Sequence, residues 1–108
     1  MSRYTINEIA EKIRHVAEAY DIDKIYIFGS YARDEATENS DIDLYVEFSA
    51  PLGLRYCSFV SDIEECLGVR VDIITKNALY NPATSSANQK LIQRISEERK
   101  CVYSKSGK

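Results

Sequence analysis

The stretch Gly29-Ser30-Tyr31-Ala32-Arg33-Asp34-Glu35-Ala36-Thr37-Glu38-Asn39-Ser40-Asp41-Ile42-Asp43-Leu44 carries most of what the chain discloses. A mostly apolar run, Lys24-Ile25-Tyr26-Ile27-Phe28, leads into the Gly-Ser turn, and a second apolar run opens at Asp41. Side chains two apart on a strand point to the same face, so Asp41 and Asp43 project together. Two carboxylates side by side repel unless a cation lies between them, which points to a divalent metal. The neighbouring Gly-Ser turn can offer backbone N–H groups to phosphate. Together these features indicate nucleotide-phosphate chemistry.

Around this stretch the order of elements reads as mixed α/β. Thr5-Ile6-Asn7-Glu8 has the spacing of a capping box, and Ile6, Ile9, Ala10, Ile13, Val16, Ala17 and Tyr20 follow as a helical stripe. Lys24 to Phe28 is the first strand, and Gly29 ends it. A short helix of about two turns is expected over Tyr31 to Ala36, starting at Ser30. Asp41 to Phe48 alternates cleanly, with Ile42, Leu44, Val46 and Phe48 on one face and Asp41, Asp43, Tyr45 and Glu47 on the other. Leu54 to Leu67 reads as a second long helix with Leu54 near its apolar side, and Gly68 is placed to be its C′ residue. Val69 to Thr75 is the third strand. A last helix is expected over about Ser85 to Arg99, after Pro82, and Cys101 to Tyr103 as a short extended piece.

Parity brings a third carboxylate into play. If the aliphatic faces of strands two and three share one core, Asp72 lies on the same face as Asp41 and Asp43. A helix joins those two strands, as a parallel crossover requires. The turn ends strand one whereas the aspartates begin strand two, so these strands must run antiparallel for the groups to meet. The expectation is a small mixed sheet of three core strands, with helices covering one face.

Three carboxylates beside a phosphate turn suit nucleotidyl transfer through two divalent ions. Asp41 and Asp43 would bridge both ions; Asp72 would bind the one that carries the acceptor hydroxyl and serve as its base. Oxygen-only ligands favour Mg²⁺, or Mn²⁺, over zinc. Gly29 lets the backbone approach phosphate, Ser30 adds a hydroxyl, and Arg33 either contacts phosphate or holds a carboxylate. The blander readings are that Ser30 caps a helix and that Arg33 pairs with Asp34, Glu47 or solvent. Tyr26 and Tyr45 on the open face could stack on a base or pack a partner, with Ile74 beside them, or simply fill a boundary. His15 reads as a surface residue.

Gly-Ser, ten residues, Asp-x-Asp and a later lone aspartate resemble the polymerase-β-type nucleotidyltransferase superfamily. Within it, Gly-Ser-Tyr-Ala-Arg and Ser-Asp-Ile-Asp-Leu resemble the minimal nucleotidyltransferases, MNT-domain antitoxins of prokaryotes. That resemblance spans Ile25 to Tyr103 and implies the nucleotidyltransferase fold. It also implies ATP as substrate and a HEPN-type ribonuclease toxin as partner, silenced by transfer of AMP to a tyrosine. Two alternatives go with it: an antitoxin that neutralises by binding alone, and a small-molecule nucleotidyltransferase. One departure stands out, since many relatives carry glycine where this chain has Asp34.

The remaining composition narrows the classes. The chain's 108 residues suit one domain, read as 1–103 with a frayed tail over 104–108. A net charge of −3 argues against direct nucleic-acid binding, which favours basic surfaces. No apolar run is long enough to span a membrane, and no basic-then-apolar leader opens the chain. Cys57, Cys66 and Cys101 read as reduced core or boundary thiols, so the cytoplasm is the expected location.

Overall fold

The computed structural model describes residues 4–37, 40–49, 52–81 and 88–105. Helix α1 (Ile6–Ala19) begins at the expected capping box: the Glu8 N–H donates to Thr5 Oγ1 at 3.1 Å, and the Thr5 N–H donates to Glu8 Oε1 at 2.8 Å. Its stripe of Ile9, Ile13 and Ala17 is buried. Strands β1 (Lys24–Phe28) and β2 (Ile42–Glu47) follow, then helix α2 (Arg55–Leu67), which Gly68 closes in the left-handed conformation at φ 71°. The rest comprises β3 (Val71–Thr75), a single-turn α3 (Lys76–Leu79), α4 (Gln89–Glu98) and β4 (Lys100–Ser104).

The sheet is mixed, as the placement of the aspartates required. Its order is β3-β2-β1-β4; β1 runs antiparallel to β2 and β4, and β2 runs parallel to β3. The extended piece at Cys101 to Tyr103 is thus a full strand, one more than the three expected. Lys105 is tied down just beyond it: its N–H donates to the Asp23 carbonyl at 2.8 Å and its ammonium meets Asp21 at 2.6 Å. Of the tail expected to fray, Ser104 and Lys105 are therefore held; Ser106 to Lys108 lie outside the described residues.

Parity divides the side chains between two cores. Ile25 and Ile27, Ile42, Leu44 and Val46, and Val71 face α1 and α2, where Phe59, Ile63 and Leu67 complete the main core. Each fully buried Ile or Leu there contributes about 1.5–3 kcal/mol of transfer free energy. The opposite face, expected to be open, carries a smaller cluster of Phe28, Tyr45, Leu79 and Ile95, so α3 and α4 partly cover it.

Several local expectations are corrected. Residues 31–36 form no helix; the chain makes a series of turns, and Asp34 leaves the helical region at φ 59°. Leu54 precedes α2 and is 96% exposed, so it belongs to no apolar side. Tyr45 is 2% exposed and stacks on Tyr26, with ring centroids 5.9 Å apart, so it offers no open docking surface. Tyr26 in turn lies under the Arg99 guanidinium at 4.6 Å. Cys57 and Cys101 are exposed rather than in the core, and all three cysteines are free. Helix α4 begins at Gln89; the expected start near Ser85, and Pro82 before it, lie outside the described residues, as do Glu38 and Asn39.

Candidate active site

Strand register assembles the site. Phe28 pairs with Asp43 across β1 and β2, and Asp43 pairs with Asp72 across β2 and β3. Register partners on adjacent strands share a face, so the two carboxylates stand side by side next to the residue that ends β1. Gly29 follows β1 directly, at φ +78°. A β-carbon there would run into the Asp43 carboxylate. Gly29 is therefore required twice: for the left-handed turn and for the room its missing side chain leaves.

Hydrogen bonds within the chain then shape the turn. The Arg33 N–H donates to the Gly29 carbonyl at 3.0 Å and the Glu35 N–H to the Ser30 carbonyl at 2.8 Å. Tyr31 and Ala32 are buried in the main core and pin the turn from below. Ser30 stays partly exposed beside the carboxylates' end of β1, and Arg33 points outward. The guanidinium is held by two carboxylates: Nε donates to Glu35 at 2.9 Å, and Nη1 to Glu98 at 3.0 and 3.1 Å. Of the two roles open to Arg33, holding a carboxylate is the one the geometry displays.

Asp43 is half-buried, while Asp41 at the mouth of β2 and Asp72 on β3 are exposed. Burial pushes the Asp43 carboxyl up to about 6, and the negative charges of Asp72 and Asp41 push the same way; Arg94 on α4 opposes them. Among the described residues no group of three or more ligating side chains already closes around one point. The chemistry nevertheless fits a hard divalent cation. The donors are all carboxylate oxygens, Asp43 and Asp72 are adjacent, and their mutual repulsion is what a cation would relieve.

A cleft of about 340 Å³ opens beside this pair, walled by Phe28, Ile73, Ile74, Leu91 and Arg94 together with Asp43 and Asp72. A larger cavity of about 470 Å³ lies between the start of α1 and the turn, lined by Tyr4, Thr5, Tyr31, Asp34 and Lys100 among others. It lacks paired carboxylates, so chemistry rather than size selects the smaller cleft. Sequence reasoning missed Arg94 and Glu98. Their spacing of four residues on a helix reads as an ordinary solvated pair, and Glu98 meets partners more than sixty residues away, beyond any local signal.

Strand register thus brings Gly29, Asp43 and Asp72 together, while Ser30 follows Gly29 in the turn, Asp41 precedes β2 close enough for its charge to act on Asp43, and Arg33 is engaged by Glu35 and Glu98. A protein of Methanocaldococcus jannaschii named "Putative protein adenylyltransferase MJ1217" is 40% identical over 83 residues, spanning 72% of this chain and 85% of its own. "Protein adenylyltransferase MntA" of Thermococcus cleftensis is 34% identical over 84 residues, spanning 73% of this chain and 85% of its own. The fold is similar to a crystal structure of a toxin–antitoxin with AMP-PNP, at a TM-score of 0.66 and 23% identity, covering 88% of this chain and 73% of that one. The family model described as "Nucleotidyltransferase domain" matches residues 6–102, nearly the whole chain: the protein belongs to the nucleotidyltransferase domain family and is a nucleotidyltransferase.

Proposed function

We propose that this chain is an antitoxin that transfers AMP from ATP to a hydroxyl on a partner toxin and so silences it. The observation that carries the reading is the register that sets Asp43 beside Asp72 and against Gly29. The relatives named as protein adenylyltransferases, and the related toxin–antitoxin fold bound to AMP-PNP, support ATP as donor and a toxin as acceptor. The resemblance in sequence adds a HEPN-type ribonuclease as the toxin and a tyrosine as the residue modified. Three free cysteines, two of them exposed, suit a reducing compartment, and we place the reaction in the cytoplasm.

Asp41, Asp43 and Asp72 would hold Mg²⁺ ions, which neutralise charge on the triphosphate and lower the cost of forming the acceptor oxyanion. Ser30 and the turn that follows Gly29 bind the outer phosphates through backbone N–H groups and the Ser30 hydroxyl. The acceptor oxygen forms a bond to the α-phosphorus as the bond from that phosphorus to the bridging oxygen breaks, and pyrophosphate leaves. Asp72 takes the acceptor's proton on a carboxylate oxygen. Phe28 and Leu91 form apolar parts of the cleft wall. On this reading the partner toxin brings the acceptor hydroxyl to the open side of the cleft.

The test uses ATP labelled on its α-phosphate or its γ-phosphate, together with Mg²⁺ and the product of the neighbouring gene. The reading expects label on the partner from the α position only, and none with Asp43→Asn. Transfer of the γ label, or of neither, overturns it.

A further inference from the structure

Glu98, the last residue of α4, reaches the turn that ends β1. Its Oε1 accepts from the Gly29 N–H at 3.2 Å. The same carboxylate accepts from Arg33 Nη1 through both oxygens, at 3.0 and 3.1 Å. The Arg33 N–H in turn donates to the Gly29 carbonyl at 3.0 Å, so Gly29, Arg33 and Glu98 close a ring. Two of the ring's three links are to a carboxylate, and one of those is fully charge-assisted. The ring fixes both the N–H and the carbonyl of Gly29, and hence the direction of the α-carbon against which Asp43 rests.

We propose that Glu98 is a positioning residue of the transfer site. It holds the Gly29 turn in the shape that both Asp43 and the nucleotide phosphates need, and does so through Gly29 and Arg33 rather than by touching substrate. This rests on the transferase reading above. The opposite role for a carboxylate on a turn amide is that of a stand-in for phosphate, displaced when nucleotide arrives. The ring favours support. A stand-in would hold the amide alone, whereas Glu98 also binds the guanidinium that follows the turn, and its side chain is only 21% exposed.

The two roles predict opposite signs, and two readouts separate them. In the unliganded protein, amide hydrogen exchange at Gly29 speeds up about tenfold in Glu98→Ala. It returns toward the native rate in Glu98→Gln, whose side-chain carbonyl still accepts, and is unchanged in Glu97→Ala on the exposed side of the helix. In the transfer assay, KM for ATP rises about tenfold in Glu98→Ala and recovers in Glu98→Gln, whereas loss of packing alone would lower the active fraction and leave KM as it was. Unchanged Gly29 exchange in Glu98→Ala overturns the ring, and a KM that stays level or falls overturns the positioning role. Gly29 exchange is read without nucleotide, so a wild-type protein that transfers nothing defeats the transferase reading while the ring is still judged separately.

Discussion

The Asp43 carboxylate occupies the space that a β-carbon on Gly29 would need. The turn and the carboxylate-bearing strand are therefore fitted to each other at one contact, and that contact exists only because β1 and β2 run antiparallel with Phe28 opposite Asp43.

Gly29→Ala tests this fit. The substitution meets a φ of +78°, which costs about 1–2 kcal/mol for an L side chain, and it also pushes the Asp43 carboxylate off its seat. The expected outcome is a folded protein with a melting temperature lowered by several degrees and transfer reduced at least about a hundredfold, since small misplacements at a reacting centre are amplified in rate. Circular dichroism melts and the labelled-ATP assay check it; near-native transfer would remove the claim.

Asp43 also makes metal-free stability depend on pH. Its folded value of about 6 lies above the ordinary value of 3.8, so between them the folded state binds more protons than the unfolded one. Its contribution is fully present below about pH 4 and is lost as the pH rises through about 6. Asp43→Asn, which cannot ionise, should melt above wild type at pH 7.5 in the presence of EDTA and draw level near pH 4. Added Mg²⁺ should raise the wild-type melting temperature at pH 7.5 and leave the variant's unchanged. Parallel wild-type and variant curves across this range would contradict both statements.

Asp34 stands in a backbone conformation that disfavours side chains. It sits at φ 59°, a left-handed conformation that glycine adopts without steric cost. Asp34→Gly should relieve the backbone strain, partly offset by greater freedom of the unfolded chain. Asp34→Val should be the less stable of the two by about 1–2 kcal/mol. Urea unfolding of the pair measures the difference.

The main core and the exposed start of α2 should respond very differently. Ile63 is fully buried between α2 and the sheet, and Ile63→Ala should cost about 2–5 kcal/mol. Leu54, almost wholly exposed, should tolerate Leu54→Ser within about 0.5 kcal/mol. Equal losses at the two positions would mean that the assignment of the core face is wrong.

The residues that were legible in the sequence are those whose signal is local or periodic. The capping box at Thr5 and Glu8, the alternation from Ile42 to Glu47, and the shared parity of Asp43 and Asp72 each follow from spacing alone, and together they were enough to orient β1 against β2. The turn after Ser30 reads as a helix in the sequence because Tyr31 to Ala36 lacks glycine and proline; tertiary burial of Tyr31 and Ala32, and the positive φ of Asp34, override that local preference. Alternation puts Tyr45 on an open face because it reports which face a side chain occupies and not what covers that face; α3 and α4 supply the cover. Glu98 was invisible for the same reason, since its role is defined by partners at Gly29 and Arg33 that only the folded chain brings near.

The most direct measurement of the central claim is the intact mass of the partner toxin after co-incubation with this protein, ATP and Mg²⁺. The account predicts a gain of whole AMP units, mapped by peptide sequencing to a tyrosine, with wild type and none with Asp43→Asn or Asp72→Asn. A partner of unchanged mass that is nevertheless neutralised, equally well by wild type and by the aspartate variants, would contradict it.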